Sequence, residues 1–208
     1  MADPMADSAD AILAPDARPL PIGTVAGTRS SGWLGMALLI ATEASVFAYL
    51  IFAYFYTAAL HTGAWPPQGL PPLTYAGPAF LVALASAASV RWAVRALERD
   101  RPRQSAAGLG LTLVLGLAAT ALLGLDASMQ AGLTPGAYRS LYLTILGVHL
   151  AHLVAGLVGL AVLSLWTALG YVGPVRSAPV LIGAFYWSFV VAAEAAVFVT
   201  LHLSPHLG

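Results

Sequence analysis

The chain contains no cysteine and no lysine, and only nine arginines and nine acidic residues in 208 positions. Without thiols there are no disulfides, thiolate metal sites, iron–sulfur clusters or cysteine nucleophiles. Charged residues make up 9% of the chain, against about 25% in a soluble domain, too few to coat a water-exposed globule of this size. With zero net charge and most arginines outside the N-terminal region gathered near one loop, the chain has no basic field that would attract nucleic acid. Also missing are a phosphate-binding loop, a nucleophilic serine elbow, a haem-attachment motif and a metalloprotease helix. In their place stands apolar sequence: 59% of residues are hydrophobic and the mean hydropathy is +0.82. Such a chain faces lipid.

Residues 1–31 carry four aspartates, several prolines and no apolar run, and they lack the basic and hydrophobic regions of a signal peptide. They read as a flexible tail ahead of a membrane domain over residues 32–208. Five apolar stretches follow, at about Gly32 to Leu60, Gly77 to Leu97, Gly108 to Ser128, Tyr138 to Leu169 and Pro179 to Leu203. Each supplies the approximately 20 residues that a helix needs to cross a hydrocarbon core. The expected fold is therefore all-α, an integral bundle of five transmembrane helices. Helix-breaking sequence separates the stretches: a proline-rich loop from Trp65 to Pro72, a charged turn from Glu98 to Arg103, and Gly/Pro turns at Gly132 to Gly136 and Gly170 to Pro179.

Arginine placement sets the expected orientation. The tail and the second and fourth connections hold Arg18, Arg29, Arg91, Arg95, Arg99, Arg101, Arg103 and Arg176, whereas the opposite side has only Arg139. The positive-inside rule then places the N-terminus in the cytoplasm and the C-terminus outside. Small residues such as Ala83, Ser86, Gly116, Ala119, Gly156 and Gly159 favour close helix packing. Phe47, Phe52, Phe55, Phe185, Phe189 and Phe198 are large enough to face lipid or a partner subunit, and Phe52, Tyr186 and Trp187 are the candidates for such contacts.

Few polar groups lie inside the spans. Glu43 sits well within the first, where an unpaired carboxylate costs about 2.5 to 3.5 kcal/mol on insertion scales, so a neutral or paired acid is expected. His149 and His152 are three apart and share a helix face. Two packed histidines joining helices is the simplest reading, with Glu194 and Glu43 as the partners to test. Those four residues have the ingredients of a di-metal carboxylate site but lack its paired Glu-x-x-His motifs, so no metal is assigned. Asp126 is expected at a span boundary, and His61, His202 and His206 at an exposed outer face.

Several of these segments resemble subunit III of the haem-copper oxidases in its five-helix bacterial form. In the first span Glu43 is followed by Phe47, Tyr49, Phe52, Phe55 and Tyr56, similar to the family's membrane glutamate and aromatic stretch. The third span resembles a family segment that usually has Gln where this chain has Asp126. The run from Tyr142 through Thr144, Gly147, His149, His152 and Gly156 is similar to the family's threonine, glycine and paired-histidine signature. In the last span Tyr186-Trp187 matches the start of a motif that normally continues with His and Asp, where this chain has Ser188 and Val191, with Glu194 further along.

The resemblance implies a subunit without redox centres or other cofactors of its own. Its partners would be the catalytic subunit I, which carries the haem and copper, and subunit II. It would bind phospholipid and help sustain assembly and proton uptake during oxygen reduction in a bacterial inner membrane. Carried over by position, Glu43 is the family's membrane glutamate, and His149 and His152 its signature histidines. Two other readings stand beside this one: an accessory membrane protein of nitric oxide reductase, suggested by the departures in the last span, and an independent proton-linked transporter, suggested by Glu43 and Glu194.

Overall fold

The computed structural model describes residues 31–173 and 176–207; the expected tail, with Arg18 and Arg29, lies outside them apart from Ser31, which opens the first helix. All regular structure among these residues is helical. In chain order the elements are α1 (Ser31–Leu60), α2 (Ala76–Glu98), α3 (Pro102–Ala131), α4 (Ala137–Ala168) and α5 (Ala178–Phe198). A π-helical turn (Val199–Leu203) and a last short helix, α6 (Ser204–Leu207), complete it. All five long helices are apolar enough to cross a membrane, the last of them running on to Leu207.

Three boundaries differ by three residues or more from those read in the sequence, one of them the run past Leu203 to Leu207. α3 begins six residues before Gly108, because Pro102 occupies its first turn, where a missing N–H costs nothing. It also runs on to Ala131 rather than stopping at Ser128. That extension matters below, since it moves Asp126 from a helix end into a helix body.

α2, α3 and α4 pack in sequence order, α5 lies against α2 and α4, and α1 rests on α4 and α5. The glycines set how closely they meet. A Cβ at Gly108 would lie 2.8 Å from Cβ of Ala93, and Ser89 donates to the Gly108 carbonyl at 2.9 Å, so α2 and α3 approach almost backbone to backbone. The turn between them closes with Arg101 N–H on the Ala96 carbonyl at 2.9 Å and places Asp100 at φ 55°, a left-handed conformation that Asp tolerates better than most residues. At the other end Gln68 clamps the α1–α2 loop to the α3–α4 turn. It accepts the Thr134 N–H at 3.1 Å and donates to both the hydroxyl and the carbonyl of Thr134.

Trp187 is the central packing residue rather than a lipid or subunit contact, correcting the expectation for it. Its ring is 1% exposed and occupies the space left by Gly116 of α3 and Gly156 of α4, where an added Cβ would come within 2.7 and 2.9 Å of it. Its indole N–H donates to Ser86 Oγ of α2 at 3.0 Å. One side chain thus ties four helices, and the small residues read as a general packing preference form a fitted socket. Phe47 is likewise in the core, at 4% exposure, whereas Phe52 and Phe55 project outward. α1 contributes least to the interior: 6% of its most apolar window is buried, against 33 to 44% for the other spans.

Candidate functional site: two carboxylate–imidazole pairs within the bundle

Glu43, His149, His152 and Glu194 meet midway along α1, α4 and α5, as two separate pairs. His152 Nε2 lies 3.0 Å from Glu43 Oε2, and its Nδ1 lies 2.7 Å from the Val148 carbonyl one turn earlier. A carbonyl only accepts, so Nδ1 carries a proton. Nε2 then bonds the carboxyl only if a second proton lies between them. The pair is a neutral acid donating to a neutral imidazole, or an imidazolium beside a carboxylate. Both side chains are partly exposed on the face where α1 meets α4.

The second pair is fully enclosed. His149 is 0% and Glu194 2% exposed, with Nε2 and Oε2 2.5 Å apart. The contact lacks hydrogen-bond alignment, and His149 Nδ1 has no partner. Spacing on α4 explains the division: residues three apart lie on one face but diverge, so His149 points between α4 and α5 while His152 reaches α1. Phe47 stands between them, its ring 6.1 Å from His149 and 5.1 Å from His152, and also touches Phe189 at 6.2 Å. Of the other contact candidates, Tyr186 is half-buried, its hydroxyl 3.4 Å from the His152 carbonyl, and Phe52 is 64% exposed. Among the described residues no group of three or more His, Cys, Asp or Glu side chains converges as a metal site would require.

Next to these pairs, an apolar groove of about 310 Å³ opens between α1, α4 and α5, lined by Met36, Leu39, Gly156, Gly159 and Tyr186 among others. Of the glycines along it only Gly159 faces open space, since the position beside Gly156 is filled by Trp187 and that beside Gly183 by Leu163.

A second polar cluster lies at the arginine-poor end and overturns two expectations. Asp126 is not a boundary residue and His202 is not exposed: each is 1% accessible. Asp126 Oδ2 accepts the Tyr142 hydroxyl at 2.5 Å, and His202 Nε2 lies 2.7 Å from the Tyr142 oxygen and 3.3 Å from Asp126 Oδ2. The hydroxyl proton is committed to the carboxylate, so Nε2 is the donor to both oxygens. His202 belongs to the π-helical turn, a local irregularity often found at functional positions. His61 and His206 are exposed, as expected. The sequence held a signal for this cluster: Asp126 lies among Leu-Gly-Leu and Ala-Ser-Met in a run that stays helical for another turn.

An all-helical bundle with five helices long and apolar enough to cross a membrane, and with Glu43 and Glu194 each set beside a histidine, defines a class of multi-pass membrane protein. The sequence profile of "Cytochrome c oxidase subunit III" matches residues 24–204. Cytochrome c oxidase subunit 3 of Marchantia polymorpha and that of Danio rerio are each 30% identical to the chain over 177 residues, 81% of this chain. That of Pylaiella littoralis is 28% identical over the same share. The chain belongs to the cytochrome c oxidase subunit III family. It spans about two thirds of the length of these relatives, at 65% of the Pylaiella, 66% of the Marchantia and 67% of the Danio protein.

Proposed function

We propose that the chain is a non-catalytic subunit of a terminal respiratory oxidase, sitting in a bacterial inner membrane with its N-terminus cytoplasmic and its C-terminus periplasmic. Family membership supports association with other oxidase subunits; subunits I and II are the proposed partners, with haem and copper held in subunit I. The observation that carries the non-catalytic reading is the way the buried acids are used. Glu43 faces His152 and Glu194 faces His149, each across one helix interface, so these groups hold helices together.

The sparsely buried α1 presents Phe52, Tyr49 and Tyr56 outward, a surface suited to a partner helix or lipid. The apolar groove lined by Met36 and Leu39, about one to two turns before Glu43 on α1, suits a phospholipid acyl chain. Sustained proton uptake would draw on Glu43, the more accessible acid of the two pairs.

The test is purification of tagged protein from native membranes in mild detergent, with reduced-minus-oxidised spectra and mass spectrometry of what accompanies it. Recovery of a haem-bearing multi-helix chain with oxygen-consuming activity is the expected result. Recovery of the chain alone, without haem, overturns the proposal.

A further inference from the structure

We propose that Tyr142 is a redox-active tyrosine, a buried resting place for a single oxidising equivalent entering from the arginine-poor face. A phenol gives up an electron readily only when its proton has somewhere to go. Tyr142, at 0% exposure, donates its proton to Asp126 Oδ2 at 2.5 Å, and His202 Nε2 supports the phenol oxygen at 2.7 Å. Tyr138, one turn earlier and equally enclosed, has no hydrogen-bond partner for its hydroxyl. The two phenols therefore differ in the property that decides where an oxidising equivalent settles.

A route to the surface is present. The Tyr142 ring is 5.9 Å from that of Tyr138, which is 5.3 Å from Trp65, and Tyr54 touches Trp65 at 5.7 Å and Tyr138 at 6.3 Å. Trp65 lines an open cavity of about 320 Å³ with His61, Gln68 and Arg139. Oxidisable rings in contact thus run without a break from the buried phenol to a cavity at the loops. Neither the carboxylate–imidazole pairs nor family membership accounts for this chain of rings ending on a hydrogen-bonded acid.

In the proposed step one electron leaves Tyr142 through Tyr138 and Trp65 to an outer-sphere one-electron oxidant at that face, and the phenol proton moves to the Asp126 carboxylate. The products are a neutral tyrosyl radical, a neutral carboxylic acid and the oxidant reduced by one electron. A one-electron reductant reverses the step and the proton returns to the phenol.

The test uses the full chain in lipid nanodiscs, oxidised by photogenerated ruthenium(III) tris-bipyridine and followed by freeze-quench electron paramagnetic resonance, with ring-deuterated tyrosine to assign the signal. Wild type should give a long-lived tyrosyl signal that is absent in Tyr142→Phe and retained in Tyr49→Phe, whose parent ring is 69% exposed. Asp126→Asn keeps an acceptor oxygen but removes the base, and should shorten the lifetime by about tenfold through loss of a charge-assisted hydrogen bond. Trp65→Phe should slow formation of the signal. A long-lived signal unchanged in folded Tyr142→Phe overturns the proposal. Where that variant does not fold, an unchanged lifetime in Asp126→Asn does so.

Discussion

Trp187 fills a socket made by residues that have no side chain to offer, and its only polar atom has a single buried acceptor. Trp187→Ala leaves a cavity bounded by four helices and should cost about 3 to 5 kcal/mol. Ser86→Ala leaves the indole N–H unpaired and should cost about 1 to 3 kcal/mol. Denaturant unfolding in micelles followed by circular dichroism measures both. Glu43 is the opposite case, a half-accessible acid whose bond to His152 needs one intervening proton. If the acid supplies that proton, an amide can replace it, and Glu43→Gln should keep the complex assembled with a stability change below about 1 kcal/mol. Loss of the complex on size-exclusion chromatography of this variant would show that the charge itself is needed.

Between helices, closeness of approach replaces side-chain bulk as the source of stability, because apolar side chains gain nothing by leaving lipid. Gly108 and Gly110 separate this effect from helix propensity. Ala at 108 would bring its Cβ to 2.8 Å from Ala93 Cβ and 3.0 Å from the Ala93 backbone, whereas nothing lies within 4 Å of the same atom at 110. Gly108→Ala should destabilise by about 1 to 3 kcal/mol through forced separation of α2 and α3. Gly110→Ala should be neutral or stabilising by up to about 1 kcal/mol. Thermal melts of the two variants in the same nanodiscs test the pair. The helices themselves were legible from apolar run length and from proline-rich breaks such as Trp65 to Pro72. The inward face of each was less so: Phe47 and Trp187 look in the sequence like Phe52 and Tyr186, and only the crossing of α1 and α5 over α4 sorts core from surface.

Across the whole molecule the charge distribution is testable because the chain has no cysteine. Single cysteines at Gln68→Cys and Arg99→Cys, both exposed positions, should label in opposite ways with a membrane-impermeant maleimide on intact cells. Position 68 should react directly and position 99 only after permeabilisation; the reverse pattern would invert the proposed topology, which rests on arginine counts.

The amino-acid sequence by itself determined that this chain has five spans able to cross a membrane and that Glu43, His149, His152 and Glu194 lie inside them, because insertion responds to local hydropathy and to charge at the loops. Tertiary structure alone decided the pairings. Glu43 meets His152 rather than His149 because His152 lies on the part of α4 that faces α1, while His149 turns between α4 and α5 onto Glu194. Asp126 and His202 are buried where α3, α4 and the π-helical turn meet, bringing two residues 76 positions apart onto one tyrosine. Local composition sets whether a segment is helical and apolar, but helix rotation and the last turn are settled by packing against neighbours distant in sequence.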